Sequence, residues 1–282
     1  MKSEILVSAE GLHELTQAGQ CVVVDCRFDF SDKNKGRVDW QSAHIPGSFY
    51  AHLDDDLAAP VHDSSGRHPL PQASVFAEFL ASIGWSPGKL LVAYDNGSSA
   101  ISVRLWWLMH YFNQSAAVLD GGLAAWMSAG YALESGATSL PSVPATKLTA
   151  SEHLTVSSEQ VQANIETGKL TVLDARAVER FAGLVEPLDT KGGHIPGALN
   201  RPFQLNLSET GAFKKPEALY SEFSSILGEL TPTSIAHSCG SGVTACHNLF
   251  AMELAGMSPS LLYPGSWSEW IRDPDRPIAT GN

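Results

Sequence analysis

The chain has 282 residues, 44% hydrophobic and 17% charged, long enough for two domains with cores of their own and too apolar to be mainly disordered. With 30 acidic against 18 basic residues the net charge is -12, which repels nucleic acid and anionic lipid at long range and argues against both as partners. Four cysteines (Cys21, Cys26, Cys239, Cys246) are too few for a disulfide framework and lack the paired spacing of a structural zinc site, so they read as reduced thiols of a cytoplasmic protein with no metal.

The N-terminal segment sets Glu4 before the short apolar run Ile5-Leu6-Val7, which is too short for a signal-peptide core. A β-branched run then ends in an acid, Val22-Val23-Val24-Asp25-Cys26-Arg27, and His44-Ile45-Pro46-Gly47 follows it. A helical period over 71–83, a strand Leu90-Leu91-Val92-Ala93-Tyr94-Asp95, a second helix over 101–111 and the turn Asp120-Gly121-Gly122 before Trp126 complete the first half. The densest apolar run, 103–109, contains Arg104 and stops at His110, so no membrane span is expected. Residues 136–149, rich in Ser, Thr, Pro and Ala, show no apolar period and join the halves.

The second half says nearly the same again. Ser157 and Gln160 form a capping box before a helix at Val161, and Gly168 marks its stop. Then come Thr171-Val172-Leu173-Asp174-Ala175-Arg176, His194-Ile195-Pro196-Gly197, the run 234–239, a helix over 244–255, and Pro264-Gly265-Ser266 before Trp270. The acids Asp25 and Asp174 stand 149 residues apart and His44 and His194 stand 150 apart, while Asp95 to Cys239 and Asp120 to Pro264 are both 144. Four anchors in one order argue for duplicated domains, 1–137 and 150–282. Strands alternating with helices imply an α/β fold, each domain a parallel β-sheet flanked by helices on both faces.

The most informative segment is Cys239-Gly240-Ser241-Gly242-Val243-Thr244, lying between a strand and a helix. Such a turn aims backbone N–H groups and the positive end of the helix dipole into the crevice at the strand ends. An ordinary cysteine thiol is only about 3% ionised at pH 7, so a loop that stabilises an anion multiplies the supply of nucleophile. The two glycines let several N–H groups face one sulfur. Cys21, Cys26 and Cys246 read as packing residues, and the first copy carries Asp95 at the cysteine position.

CGSGVTA at 239–245, both HIPG tetrapeptides, the turns before Trp126 and Trp270, and RHPLP at 67–71 together resemble the rhodanese family, in particular its two-domain mercaptopyruvate and thiosulfate sulfurtransferases. The resemblance implies two tandem rhodanese-like domains, the first inactive and the second catalytic through Cys239. It also implies a Ser-His-Asp relay, falling on Ser241, His68 and Asp54, and substrate binding by Arg180, Arg67 and the loop residues Gly240, Gly242, Val243 and Thr244. Thiosulfate-preferring members carry Arg and Lys after the cysteine; Gly240 and Ser241 stand there, which points to mercaptopyruvate. Where the family has Glu-Pro-Arg, with a second carboxylate-binding arginine, the chain has Glu186-Pro187-Leu188, leaving Arg67 or Lys191 to supply the charge.

The expected reaction is a ping-pong transfer in which the Cys239 thiolate takes sulfur from a small-molecule donor and yields it to a thiol such as thioredoxin or glutathione, or to cyanide, with no cofactor. Thiosulfate as donor is the alternative, and a non-catalytic sulfur-carrier or protein-binding module is the reading of another class. A cysteine phosphatase needs an arginine six residues after its cysteine, where this chain has Ala245.

Overall fold

The β-branched runs that end in an acid become interior strands of two parallel sheets in the computed structural model of the chain, which describes residues 5–139 and 142–281. Glu4 of the N-terminal segment and Leu140 and Pro141 of the joining stretch lie outside the described residues. The chain divides into two compact units that are not contiguous in sequence. The first takes Met1–Ala59, Leu70–Ser151 and Glu209–Phe213, the second Pro60–Pro69, Glu152–Ser208 and Lys214–Asn282.

The first unit runs β1 (Leu6–Val7), α1 (Ala9–Gln17), β2 (Cys21–Asp25), α2 (Lys35–Ser42), β3 (Phe49–Tyr50), α3 (Ala73–Ser82), β4 (Leu90–Tyr94), α4 (Ser102–Tyr111), β5 (Ala116–Leu119) and α5 (Gly122–Ser128). Its strands lie in the order β1-β5-β4-β2-β3, all parallel, with Val23 level with Val92 and Val92 with Ala117. Strands covered on both faces have no wet side, which is why 22–24 and 91–94 are unbroken buried runs rather than alternating ones.

The second unit runs α6 (Ser158–Thr167), β6 (Thr171–Asp174), α7 (Val178–Phe181), β7 (Leu199–Asn200), α8 (Pro216–Leu227), β8 (Ile235–Ser238), α9 (Ala245–Leu254), β9 (Leu261–Leu262) and α10 (Ser266–Trp270). Its sheet is β7-β6-β8-β9, again parallel, and a bridge from Thr155 to Leu262 stands where β1 meets β5 in the first unit. The strand order is therefore the same twice, as a duplication requires. The expected capping box closes α6: Ser157 Oγ accepts the Gln160 N–H, Gln160 Oε1 accepts the Ser157 N–H at 2.8 Å, and Gly168 ends the helix at φ 62°.

The repeated motifs brace the turns beside each sheet. In both HIPG copies Pro and Gly occupy the centre of a type II turn, closed by Ser48 N–H to the Ile45 carbonyl and Ala198 N–H to that of Ile195, each at 3.0 Å. Gly47 and Gly197 take the positive φ that position demands, 75° and 79°. In each Asp-x-Arg the arginine doubles back on the acid and reaches the carbonyl just before the histidine: Arg27 to Asp25 and Ala43, Arg176 to Asp174 and Gly193. No helix among the described residues is long and apolar enough to cross a membrane.

Candidate active site

Strand β8 ends at Ser238 and α9 begins at Ala245, so Cys239 opens a loop at the carboxyl end of an interior strand. The loop is fastened from α10. The Trp267 and Ser268 N–H groups donate to the carbonyls of Cys239 (3.0 Å) and Gly240 (2.9 Å), and Ser266 Oγ accepts the Cys239 N–H at 3.1 Å. Gly242 has φ 75°, and a Cβ there would lie 2.2 Å from the Pro264 carbonyl oxygen, so only glycine fits.

Cys239 is 1% exposed, and its Sγ accepts the Ser241 N–H at 3.4 Å. The sequence led us to expect several amides on this sulfur; one is in place. The N–H groups of Val243, Thr244 and Ala245 have no acceptor among the described residues. What such a loop does around an anion is visible in the first unit, where Asp95 stands in the cysteine's place. One Asp95 oxygen accepts the N–H groups of Gly97 (3.1 Å) and Ser99 (2.9 Å), and the other those of Ile101 (3.1 Å) and Ser102 (3.3 Å). Ser99 and Ile101 are the repeat counterparts of Val243 and Ala245. The nest is thus a property of the loop, and the carboxylate fills it permanently in one copy.

Ser241 Oγ lies 2.7 Å from His68 Nδ1, both residues being buried in the second unit. His68 belongs to the strap Pro60–Pro69, held down by Arg272 Nε on the Ser65 carbonyl (2.7 Å) and by the Arg67 N–H on Ser268 Oγ (3.0 Å). Asp54 belongs to the first unit, where it pairs with Lys33 at 2.6 Å. Thr244 precedes α9 without a side-chain cap bond, and Val243 is buried.

Two guanidinium groups cover Gly240. A Cβ on it would lie 2.9 Å from Arg67 Nη2 and 3.5 Å from Arg180 Nη2. Arg180, raised on α7, makes a two-pronged pair with Glu186, Nε at 3.1 Å and Nη2 at 2.7 Å. Burial works against the Glu186 charge, but the Arg180 bonds and the Leu188 N–H outweigh it and hold the carboxyl below the usual carboxylate range. Leu188, where the resemblance led us to look for an arginine, is exposed and carries no charge to the site. Of the two replacements considered, Arg67 lies over the loop; Lys191 is exposed, and its carbonyl accepts the Trp267 indole N–H.

Sequence reasoning missed Ser266, which holds the Cys239 amide, and Asp189, which meets both arginines: Oδ1 takes Arg67 Nη1, and Oδ2 lies 3.4 Å from Arg180 Nη2. Ser266 had a signal, since it sits in the repeated turn before Trp270. Asp189 had none, being one acid among 30. A cavity of about 380 Å³ opens beside this pair, lined by Asp63, Arg67, Leu188, Asp189, Thr190, Ser268, Ile271 and Arg272; Cys239 and Ser241 are not in its wall.

The rhodanese-like domain model matches the chain twice, over residues 8–129 and 157–273. A probable 3-mercaptopyruvate sulfurtransferase of Pseudomonas aeruginosa is 44% identical over 286 residues, covering 100% of both chains. A putative thiosulfate sulfurtransferase, SseB, of Mycobacterium tuberculosis is 36% identical, covering 99% of this chain and 98% of its own. Among solved structures, SseA of Escherichia coli, described as a 3-mercaptopyruvate sulfotransferase, superposes with a TM-score of 0.82 at 28% identity, over 94% of this chain and 100% of that one. Matched twice by one domain model and end to end by sulfurtransferases, the chain belongs to the rhodanese family of two-domain sulfurtransferases.

Proposed function

We propose that the chain transfers sulfur from 3-mercaptopyruvate through a persulfide on Cys239, with the C-terminal domain (150–282) catalytic and the N-terminal domain (1–137) inactive because Asp95 replaces the nucleophile. The observation that carries this is the matched loop, filled by a carboxylate in one copy and offering a thiol beneath two arginines in the other. The names of the relatives support the donor class.

In the first half-reaction the Cys239 thiolate attacks the donor sulfur, an S–S bond forms, and the C–S bond breaks with its electron pair passing to the carbon as the enolate of pyruvate. Ser241, 2.7 Å from His68, is the proton source for that carbon and His68 restores its proton, with Asp54 the third member of this relay; the proton that came in on the donor's thiol leaves when the new persulfide S–H ionises and makes good the one the carbon took. The Ser241 N–H and the amides of Val243 and Thr244, with Gly240 and Gly242 shaping the turn, hold the persulfide anion. In the second half-reaction an acceptor thiolate such as thioredoxin or glutathione, or cyanide, takes the outer sulfur and returns the Cys239 thiolate. No electrons are left over, so no redox cofactor enters. The acidic surface and the reduced thiols support a cytoplasmic setting.

Side-by-side measurement of kcat/KM for mercaptopyruvate and thiosulfate tests the donor. The uncharged loop predicts at least a tenfold preference for mercaptopyruvate, which corresponds to about 1.4 kcal/mol of transition-state binding; a preference for thiosulfate overturns the assignment. A single sulfur loaded per chain with no further turnover would mark a carrier instead. His68→Asn should lower kcat with mercaptopyruvate by about 10²-fold while leaving persulfide discharge by cyanide within a few-fold, because only the enolate needs the proton. Equal losses in both half-reactions would remove the relay from the scheme.

A further inference from the structure

The charges over Gly240 already balance. Arg67, Arg176 and Arg180 face Asp174, Glu186 and Asp189, and each arginine has an acidic partner: Asp189 for Arg67, Asp174 for Arg176, Glu186 for Arg180. Asp174 and Glu186 have structural reasons to be there. Asp174 closes the Asp-x-Arg brace, and Glu186 Oε1 accepts the N–H groups of Leu188 (3.1 Å) and Asp189 (3.2 Å), shaping its own turn. Asp189 braces nothing of the kind. Its two oxygens divide between Arg67 and Arg180, which is the contact a donor's carboxylate would make with the same two groups.

The position matters as much as the charge. Arg67 Nη2 would lie 2.9 Å from a Cβ on Gly240, and Arg67, with Asp189, borders the cavity; the thiol of the neighbouring Cys239 is 1% exposed. In the wall of that cavity Arg67 is engaged by Asp189, and the remaining guanidinium, Arg272, is turned to the Ser65 carbonyl with Asp63 as a second wall acid, so an arriving carboxylate donor meets no excess of positive charge. A fourth negative charge in a balanced, half-buried cluster is costly unless one of the resident three gives way. Burial pushes the Asp189 carboxyl up from its ordinary value, against the pull of Arg67 and Arg180, whereas Glu186, fastened by the Leu188 and Asp189 N–H groups as well as by Arg180, is held below its own.

Resting on the proposed reaction, we infer that Asp189 is a resident stand-in for the donor's carboxylate: it bridges Arg67 and Arg180 over Cys239 in the empty enzyme and is displaced by the donor's own carboxylate. Asp189 is therefore a specificity-determining residue acting through the arginines. It sets the affinity for carboxylate-bearing donors by competing with them for the two guanidinium groups.

A pair of alkylating agents that differ only in charge tests this without turnover. Iodoacetate carries a carboxylate and iodoacetamide does not, and labelling at Cys239 is read by peptide mass. Asp189→Asn keeps the shape and removes the competing charge, so it should raise the iodoacetate-to-iodoacetamide rate ratio at Cys239 about tenfold. The KM for mercaptopyruvate should fall by a similar factor with kcat changed less than threefold. Asp63→Asn removes a charge from the same cavity wall without touching either arginine and should move the ratio less than twofold. If Asp189 merely props the arginines for binding, Asp189→Asn lowers the ratio and raises KM; that outcome, or no change, overturns the inference. Should Asp189→Asn fold poorly, Asp189→Ser gives the same readout. Absence of a Cys239 persulfide after treatment with either donor would sink the proposed reaction, while the alkylation ratio would still report on Asp189 independently.

Discussion

Cys239→Ser is expected to abolish sulfur transfer from mercaptopyruvate and from thiosulfate, a loss on the order of 10³-fold or more, because oxygen in that position can neither ionise nor hold sulfane sulfur as a persulfide. No other described thiol is placed to take over. Burial pushes Cys21 up to about 11, and burial together with the charges of Asp25, Asp95 and Asp56 pushes Cys26 well above its ordinary range. Cys246 is fully buried in α9, its Sγ donating to the Gly242 carbonyl at 3.4 Å. Mass spectrometry of donor-treated protein should therefore find one added sulfur atom on Cys239 of the unaltered chain and none on the variant, with thermal stability unchanged within about 3 °C. Transfer above about 1% of the original rate in the variant, or an adduct on another cysteine, would refute the assignment of the nucleophile.

The largest effect on stability should come from Arg176→Leu. Arg176 and Asp174 are 1% and 4% exposed and 2.7 Å apart; the guanidinium also donates to the Gly193 carbonyl at 2.8 Å and lies 4.8 Å over the Trp267 ring. Removing one member of a buried pair leaves the other charge uncompensated, at a cost of about 3–5 kcal/mol. For a unit of this size that lowers the melting temperature by about 10–20 °C, measured by calorimetry. The double variant Asp174→Asn with Arg176→Leu should recover part of the loss, since no charge is then stranded. If the single variant melts within about 3 °C of the original chain, the brace is not what holds the HIPG turn to β6.

Much of this architecture is legible in the sequence because it was written twice. Asp25-x-Arg27 and Asp174-x-Arg176 announce the interior strands, and the 144-residue spacing of Asp95 and Cys239 announces the loop and its degenerate copy. The helices expected over 71–83, 101–111 and 244–255 appear as α3, α4 and α9 with ends shifted by one or two residues, because their apolar period is long enough to read. Two-residue strands such as β1 and β9 carry no period at all and emerge only when a neighbour supplies hydrogen bonds. The site divides in the same way. Cys239, Ser241, His68 and Arg180 stand in motifs that could be matched, whereas the partner of Arg67 is 122 residues away, and nothing local distinguishes Asp189 from any other acid in the chain. The number of amides on the sulfur also depends on how tightly the loop closes around its occupant, which composition does not encode.

The strap Pro60–Pro69 folds with the second unit and Glu209–Phe213 with the first, so each half of the polypeptide has lent a piece of itself to the other. Arg67 and His68 are among the residues on loan. Each half of the polypeptide therefore completes its fold with a segment of the other, so a cut at the 136–149 joint would leave both pieces without part of their own structure.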